Sequence, residues 1–525
     1  MPEVITTIED TPADTAGLVA GDLIVEIEGK STVGKPLWEV VDQLRGVPGT
    51  AVNLSIRREG IPDPIPHAIV RAEIRVNSVT YSEEIEPGIG YIGMARTRFS
   101  EETGQEVEAA LQDLSGRDSR GLILDLRGNP GGLLSQAREV ADKFLDPGQL
   151  IVATKGRVPD QSKEYRARGP NILGKAVPLI VLVDQGSASA SEIAAGAIQD
   201  ADRGLILGAP TFGKGSVQTV VRVDDETALK LTTALYYTPS GRSIHRSSGP
   251  ADATLSVDDR EIPVHVLIDI IARSADSGDA RSAVVTKFGL TPPQADRVLD
   301  FSISRLAGLA LQRARADSTG NHTQFKTAGG RPVYGGGGIT PDVVVEPESP
   351  PPLFTQLSYQ RLFLAFASRY AAVHRGVTRP FVADSSVVGE FRAFLADSAQ
   401  GFTYRPPSEV RLDDIEKAFD GQGVSGETKA ALEVLRRDCR QELEAEFVKA
   451  DDLIRAAIER QVASRLWGSR AEIEAGLKWD VQLQEAIRIL KDPELYRQKM
   501  GMPRMASGKD ASNSGNKPEG PAPEQ

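Results

Sequence analysis

Two stretches of this chain bring together residue types that can attack a carbonyl. The first is Asp184-Gln185-Gly186-Ser187-Ala188-Ser189-Ala190-Ser191-Glu192. The second is Thr211-Phe212-Gly213-Lys214-Gly215-Ser216-Val217-Gln218. One offers small hydroxyls on a sharp turn, the other an amine. A serine hydroxyl is a weak nucleophile and needs a base. Histidine is the usual base, and the chain has five: His67, His245, His265, His322 and His374. None stands in a context that suggests catalysis, although His245 is close to Gly241, and each reads as a surface or packing residue. Lys214 is better placed. An ordinary lysine, with a pKa of about 10.4, is charged at pH 7. Burial and a nearby helix N-terminus both favour the neutral amine that a base requires. Gln218 is the natural orienting group, because an amide can accept from the amine without stabilising its charge as a carboxylate would. The chemistry is acyl transfer: Ser189 attacks and Lys214 takes its proton.

Such residues need elements to hold them. The run Val177 to Val183 is apolar and β-branched and predicts a buried strand before the serine turn. Glu192 to Ile198 predicts a helix after it. A serine on that turn sits beside the free N–H groups of a helix start. The N–H of Ala190 is then a donor for an oxyanion formed by attack from Ser189. This is the strand–turn–helix mechanics of a nucleophile elbow with different residues. Lys214 follows a strand (Gly204 to Leu207) and a turn (Gly208-Ala209-Pro210). It precedes an alternating strand through Val217, Thr219, Val221 and Val223, whose periodicity would put Lys214 and Gln218 on one face.

Plainer readings compete. Small polar residues favour helix caps in any case, and a lysine beside glycines is usually exposed. Gly208 to Lys214 also fits G-x-x-x-x-G-K, the opening of a phosphate loop. The next residue is Gly215 rather than Ser or Thr, and a strand follows where that loop must open a helix, so nucleotide binding is rejected.

At these residues the chain resembles the carboxyl-terminal processing peptidases, the S41 family of serine peptidases. The S-A-S-A-S-E block, the F-G-K-G-x-x-Q block and their separation all agree with the family pattern. The resemblance implies that Ser189 is the nucleophile, Lys214 the general base and Gln218 the residue that positions the lysine, with Ser187 and Ser191 structural. A second block, Gly121-Leu122-Ile123-Leu124-Asp125-Leu126-Arg127-Gly128-Asn129-Pro130-Gly131-Gly132, reads as a buried strand running into a glycine turn, followed by a helix from Gln136 to Phe144. The resemblance implies that a backbone N–H of Gly131 or Gly132 completes the oxyanion hole with Ala190. Tyr236 to Arg242 and Gly335 to Asp342 are further family-like blocks.

At 525 residues the chain is multidomain, and its net charge of −12 with a pI near 5.2 argues against nucleic acid and acidic membranes as partners. The single cysteine, Cys439, excludes an internal disulfide and any multi-cysteine metal site. It falls in a helical stripe with Leu432, Leu435, Leu443 and Phe447, which predicts packing. No apolar run reaches membrane-spanning length.

The predicted fold class is α/β: a crotonase-like βα catalytic core, an N-terminal truncated PDZ domain and a C-terminal helical domain. Residues 1–60 read as the PDZ-like module, with strands at Val4–Ile8, Asp22–Gly29 and Val52–Arg57 and helices at Pro12–Leu18 and Leu37–Leu44. Its P-A-x-x-A-G-L and G-D-x-I blocks carry that resemblance; such modules capture peptide C-termini by strand addition. The module lacks the strand and carboxylate loop expected before Val4. No charged n-region or apolar h-region precedes it, so the chain reads as N-terminally truncated. A strand-like connector containing Pro62, Pro64 and Pro66 spans 61–78. The core spans 79–345, with an insertion at 246–328 that carries helical patterns at Val264–Ala272 and Pro293–Ala316. A linker at 346–352 leads to a helical domain at 353–503 and a disordered tail at 504–525.

The resemblance implies a serine endopeptidase that needs no metal or cofactor. It would process proteins or peptides with exposed C-termini, lie in the periplasm or another extracytoplasmic space, and form a homodimer or higher oligomer. Two other readings stay open. One is a non-catalytic PDZ scaffold on a degenerate core, which an exposed Lys214 would favour. The other is a crotonase-like acyl-transfer enzyme, which would need a coenzyme-A site that no basic, aromatic-lined segment suggests.

Overall fold

The computed structural model describes residues 1–115, 119–222, 228–246, 254–257, 260–263, 277–288, 290–291, 295, 323–346, 349–397, 402, 404, 412, 415 and 425–503. They fall into two compact units. One joins Met1–Gly93 to Val345–Asp492; the other joins Met94–Val344 to the residues from Pro493 onward.

The first unit opens with a four-stranded antiparallel sheet. Its order is Lys30–Ser31, Leu23–Ile27, Ala51–Arg57, Ile65–Val70. Along Ala51–Arg57 every second residue is buried, so Val52, Leu54 and Ile56 face a small core with Leu18, Ile24, Ile27 and Val40. Val40 comes from the helix Leu37–Leu44.

One expectation changes here. Val4–Ile8 is not a strand. Pairing is limited to the bridge Glu3 to Leu23 and the bonds that exchange Val4 with Gly21 and Asp22. Ile5 and Ile8 are exposed, and the stretch between them has no ladder partner among the described residues. A strand without a partner leaves its backbone groups to water. The connector, in turn, contributes Ile65–Val70 as the edge strand of this sheet. Pro66 is tolerated because an edge strand has a free side.

A hairpin of Tyr81–Glu86 and Ile89–Gly93 and a set of helices complete the unit. Leu353 and Leu357 on one helix, and Phe363 and Phe366 on the next, are spaced by helical repeats and form a buried cluster with Phe391. Phe363 stacks on Phe391 with centroids 5.2 Å apart. The helix Gly426–Lys449 carries the cysteine stripe. Leu443 and Phe447 pack on the cluster, whereas Leu435 is exposed and the Cys439 side chain lies outside the description. No described helix is long and apolar enough to cross a membrane.

The second unit is built on parallel strands. Gly121–Asp125, Leu179–Val183, Leu205–Gly208 and Val343–Val344 lie side by side in that order. The first two are buried along their whole length. Continuous apolar runs without alternation are what a sheet covered on both faces requires. The helices Leu134–Asp142 and Ala190–Asp200 supply crossovers. An antiparallel sheet, in the order Ser216–Arg222, Ala228–Tyr237, Leu150–Gly156, Lys163–Arg166, stands apart from it. The Tyr496 hydroxyl bonds both the N–H and the C=O of Leu179, at 3.1 and 3.2 Å, bracing the start of the strand that leads to the serine turn.

Arg242 is fully buried. It donates to Asp200 at 2.8 Å, Gln199 at 2.6 Å and the Tyr334 carbonyl at 3.1 Å. Burial pushes its guanidinium below the ordinary arginine range, and Asp200 opposes that. Removing one partner strands the other charge. Arg242→Leu is therefore expected to lower unfolding free energy by about 3–5 kcal/mol in a urea titration.

The helices expected at Val264–Ala272 and Pro293–Ala316, and the tail 504–525, lie almost wholly outside the described residues. Within 246–328 the structure describes a strand pair, Thr254–Val257 with Arg260–Pro263, and a helix, Ser277–Phe288. A hairpin of Gln324–Lys326 with Pro332–Tyr334 begins before 328.

Candidate active site

Three loops leave the carboxyl ends of neighbouring parallel strands. Gly128–Gly132 follows Gly121–Asp125, the serine turn follows Leu179–Val183, and the lysine loop follows Leu205–Gly208. Ligands of open parallel sheets bind at that end.

Ser189 stands between the strand and the helix that begins at Ala190. Its backbone has φ 55° and ψ −108°, a region that costs a side chain about 1–3 kcal/mol. The surroundings hold it there. The Ser187 hydroxyl donates to the Leu126 carbonyl at 2.8 Å, and the Ser191 hydroxyl to the Asn129 carbonyl at 3.0 Å. Both flanking serines are buried and spent on the scaffold. Ser189 is half-buried, and its hydroxyl has no hydrogen-bond partner among the described residues.

The glycine turn presses against it. A Cβ at Gly131 would stand 2.5 Å from the Ala188 carbonyl oxygen and 2.9 Å from Ser189 Cβ, and Gly131 has φ +86°. Only glycine fits such an approach. The Gly131 N–H is already donated to Asn129 Oδ1 at 3.0 Å. The N–H groups of Gly132 and Ala190 have no acceptor among the described residues. Gly131→Ala is expected to lower turnover by about 10²-fold, because it would shift the serine turn by a fraction of an ångström or more; steady-state rates beside a thermal melt check it.

Lys214 is exposed, and its ammonium has no partner among the described residues. Gln218 is exposed too. The strand starts at Ser216, after Lys214. The register shift beside Gln218 leaves its extra residue, Thr233, on the partner strand, so the alternation from Ser216 onward is intact. It does not reach back to Lys214, and so does not by itself place the lysine on the face of Gln218.

Three residues of these blocks to which the sequence assigns no site role hold the loops. Asn129 is fully buried and joins the glycine turn to Met94 and Ser191. Thr211 accepts from the Ile339 N–H at 2.7 Å, which ties the Gly335–Asp342 block to the lysine loop. Glu192 accepts from the Ser189 N–H at 2.8 Å. The S-x-x-E spacing of a capping box would have pointed to it.

Three family models match the chain. Residues 88–253 match the model for peptidase family S41, 4–58 that of a PDZ domain, and 353–490 that of the C-terminal helical domain of a probable PDZ-protease. The chain carries an S41 peptidase core at the first of these stretches. The S41 match takes in the serine turn, the glycine turn and the lysine loop. The carboxy-terminal-processing protease of Bartonella bacilliformis is 46% identical over 46% of this chain and 55% of its own length. The carboxy-terminal processing protease CtpB of Bacillus subtilis is 36% identical over 46% of this chain and 50% of its own length. A photosystem II D1 C-terminal processing protease of known structure is 36% identical with a TM-score of 0.30, covering 46% of this chain and 65% of that one. The chain thus spans about half the length of the curated relatives it matches.

Proposed function

We propose that this chain is a serine endopeptidase acting on proteins near their C-termini. Ser189 attacks the scissile carbonyl and Lys214 accepts its proton. The amine then protonates the leaving group, and water hydrolyses the acyl-enzyme. The N–H groups of Ala190 and Gly132 receive the oxyanion, with Gly131 setting the turn that presents Gly132, and Gln218 orients the lysine. The reading rests on one observation above all. A half-buried serine is held in a strained turn at a helix start, its hydroxyl and the following N–H both uncommitted, at the carboxyl end of a parallel sheet. The names of the relatives support the substrate class. The PDZ module would deliver chain ends, the location would be extracytoplasmic or periplasmic, and the helical domain would support a dimer.

A second reading has an observation of its own. Lys214 is exposed, and among the described residues no hydrogen bond joins its side chain to Ser189, as a non-catalytic PDZ scaffold would allow. Catalytic hydrogen bonds are commonly long or absent without substrate and tighten when it binds, so the peptidase reading stands ahead of it.

The deciding experiment is cleavage of casein by the purified chain beside Ser189→Ala. Cleavage lost in the variant supports the peptidase. Equal cleavage by both, or none by either, removes it and leaves the scaffold.

A further inference from the structure

We propose that Glu192 is the positioning residue of this site, a single buried carboxylate that sets the nucleophile turn and the lysine loop in one frame. The inference rests on the peptidase reading and names what aligns its two reacting groups.

Glu192 is 0% exposed. Its Oε2 accepts from the Ser189 N–H at 2.8 Å and from the Lys214 N–H at 2.9 Å. Its Oε1 accepts from the Thr211 hydroxyl at 2.6 Å and from the Gly213 N–H at 2.7 Å. One oxygen atom therefore bridges the backbones of the candidate nucleophile and the candidate base. The ordinary capping-box glutamate bonds only its own helix start. This one also holds a loop from another strand, which otherwise meets the serine turn through the Phe212 N–H bond to the Ser187 carbonyl at 3.0 Å.

Four donors converge on the group. An ionised carboxylate is acceptor-only and can fill all four positions, whereas the acid form would have to give up one of them and turn its proton on the Thr211 hydroxyl oxygen. Burial pushes the carboxyl above its ordinary range, and the bonds from Thr211, Ser189, Gly213 and Lys214 pull against it. The strain at Ser189 fits the same role. A positive φ persists only where the surroundings over-determine it, and the bond to Glu192 grips that residue's own N–H.

The test uses Glu192→Gln in the full chain, with steady-state kinetics on a peptide and backbone hydrogen exchange read at residues 186–192 and 211–216. A glutamine turns an NH2 toward two donors, so both loops should lose their anchor together. The expected result is kcat lower by about 10²-fold with KM within about twofold. Exchange should be faster by about tenfold at both segments, as the loss of one net hydrogen bond gives. Thr211→Val, which removes one donor and keeps the shape, should lower kcat by about tenfold, and it decides by the same two readings if Glu192→Gln does not fold. Unchanged exchange at either segment, or kcat within about threefold of the parent, overturns the proposal. If the parent shows no Ser189-dependent cleavage, the peptidase reading fails, and exchange alone then decides whether Glu192 couples the loops.

Discussion

Ser189→Ala is expected to lower proteolysis by about 10⁴-fold or more while leaving stability within about 0.5 kcal/mol of the parent. The two halves of that expectation come from different atoms. Turnover goes because no other uncommitted hydroxyl stands on the turn; Ser187 and Ser191 are buried and bonded to Leu126 and Asn129. Residual rate is what the oxyanion donors and binding alone supply. Stability stays because the hydroxyl of Ser189 makes no hydrogen bond among the described residues, and the contact to Glu192 comes from the backbone N–H, which alanine keeps. Initial rates on casein and a thermal melt measure both. A variant that lost activity and melted early would point to a structural serine.

Lys214→Ala is expected to cost about 10³-fold in kcat, the range of a general base. Lys214→Arg separates two ways in which a lysine can matter. Arginine keeps the positive charge but does not give up a proton in a protein. If the amine is a base, Lys214→Arg is as inactive as Lys214→Ala. If it only supplies charge, arginine restores most of the rate. Neither change should affect folding, because the side chain is exposed. Single-turnover rates on a short peptide, which exclude product release, are the measurement.

The parts of the fold that could be read in the sequence are those where burial dictates residue type. Leu122 to Asp125 and Leu179 to Val183 are apolar without alternation because a covered parallel sheet admits nothing else. The serine turn was legible for the same reason: small residues at 187–191 leave the chain room to bend between strand and helix. Val4–Ile8 misled because β-branched composition states a preference, and only a partner makes a strand. The relation of Gln218 to Lys214 could not be read from strand alternation, because the strand begins only at Ser216.

Glu192 shows the opposite failure. Its local role was written in the sequence as an N3 glutamate. Its bonds to Thr211, Gly213 and Lys214 were not, because they join segments that only the sheet brings together. Gly131 is similar. A glycine in a turn suggests an unusual φ, but the reason for it is the Ala188 carbonyl 2.5 Å from where a Cβ would stand.

The central claim is that the hydroxyl on this turn is the reacting nucleophile. Treating the purified chain with a fluorophosphonate and mapping the adduct by mass spectrometry tests it most directly. One adduct per chain is expected, on Ser189, with loss of casein cleavage in step with labelling. No adduct, or an adduct on another serine while cleavage persists, would contradict it.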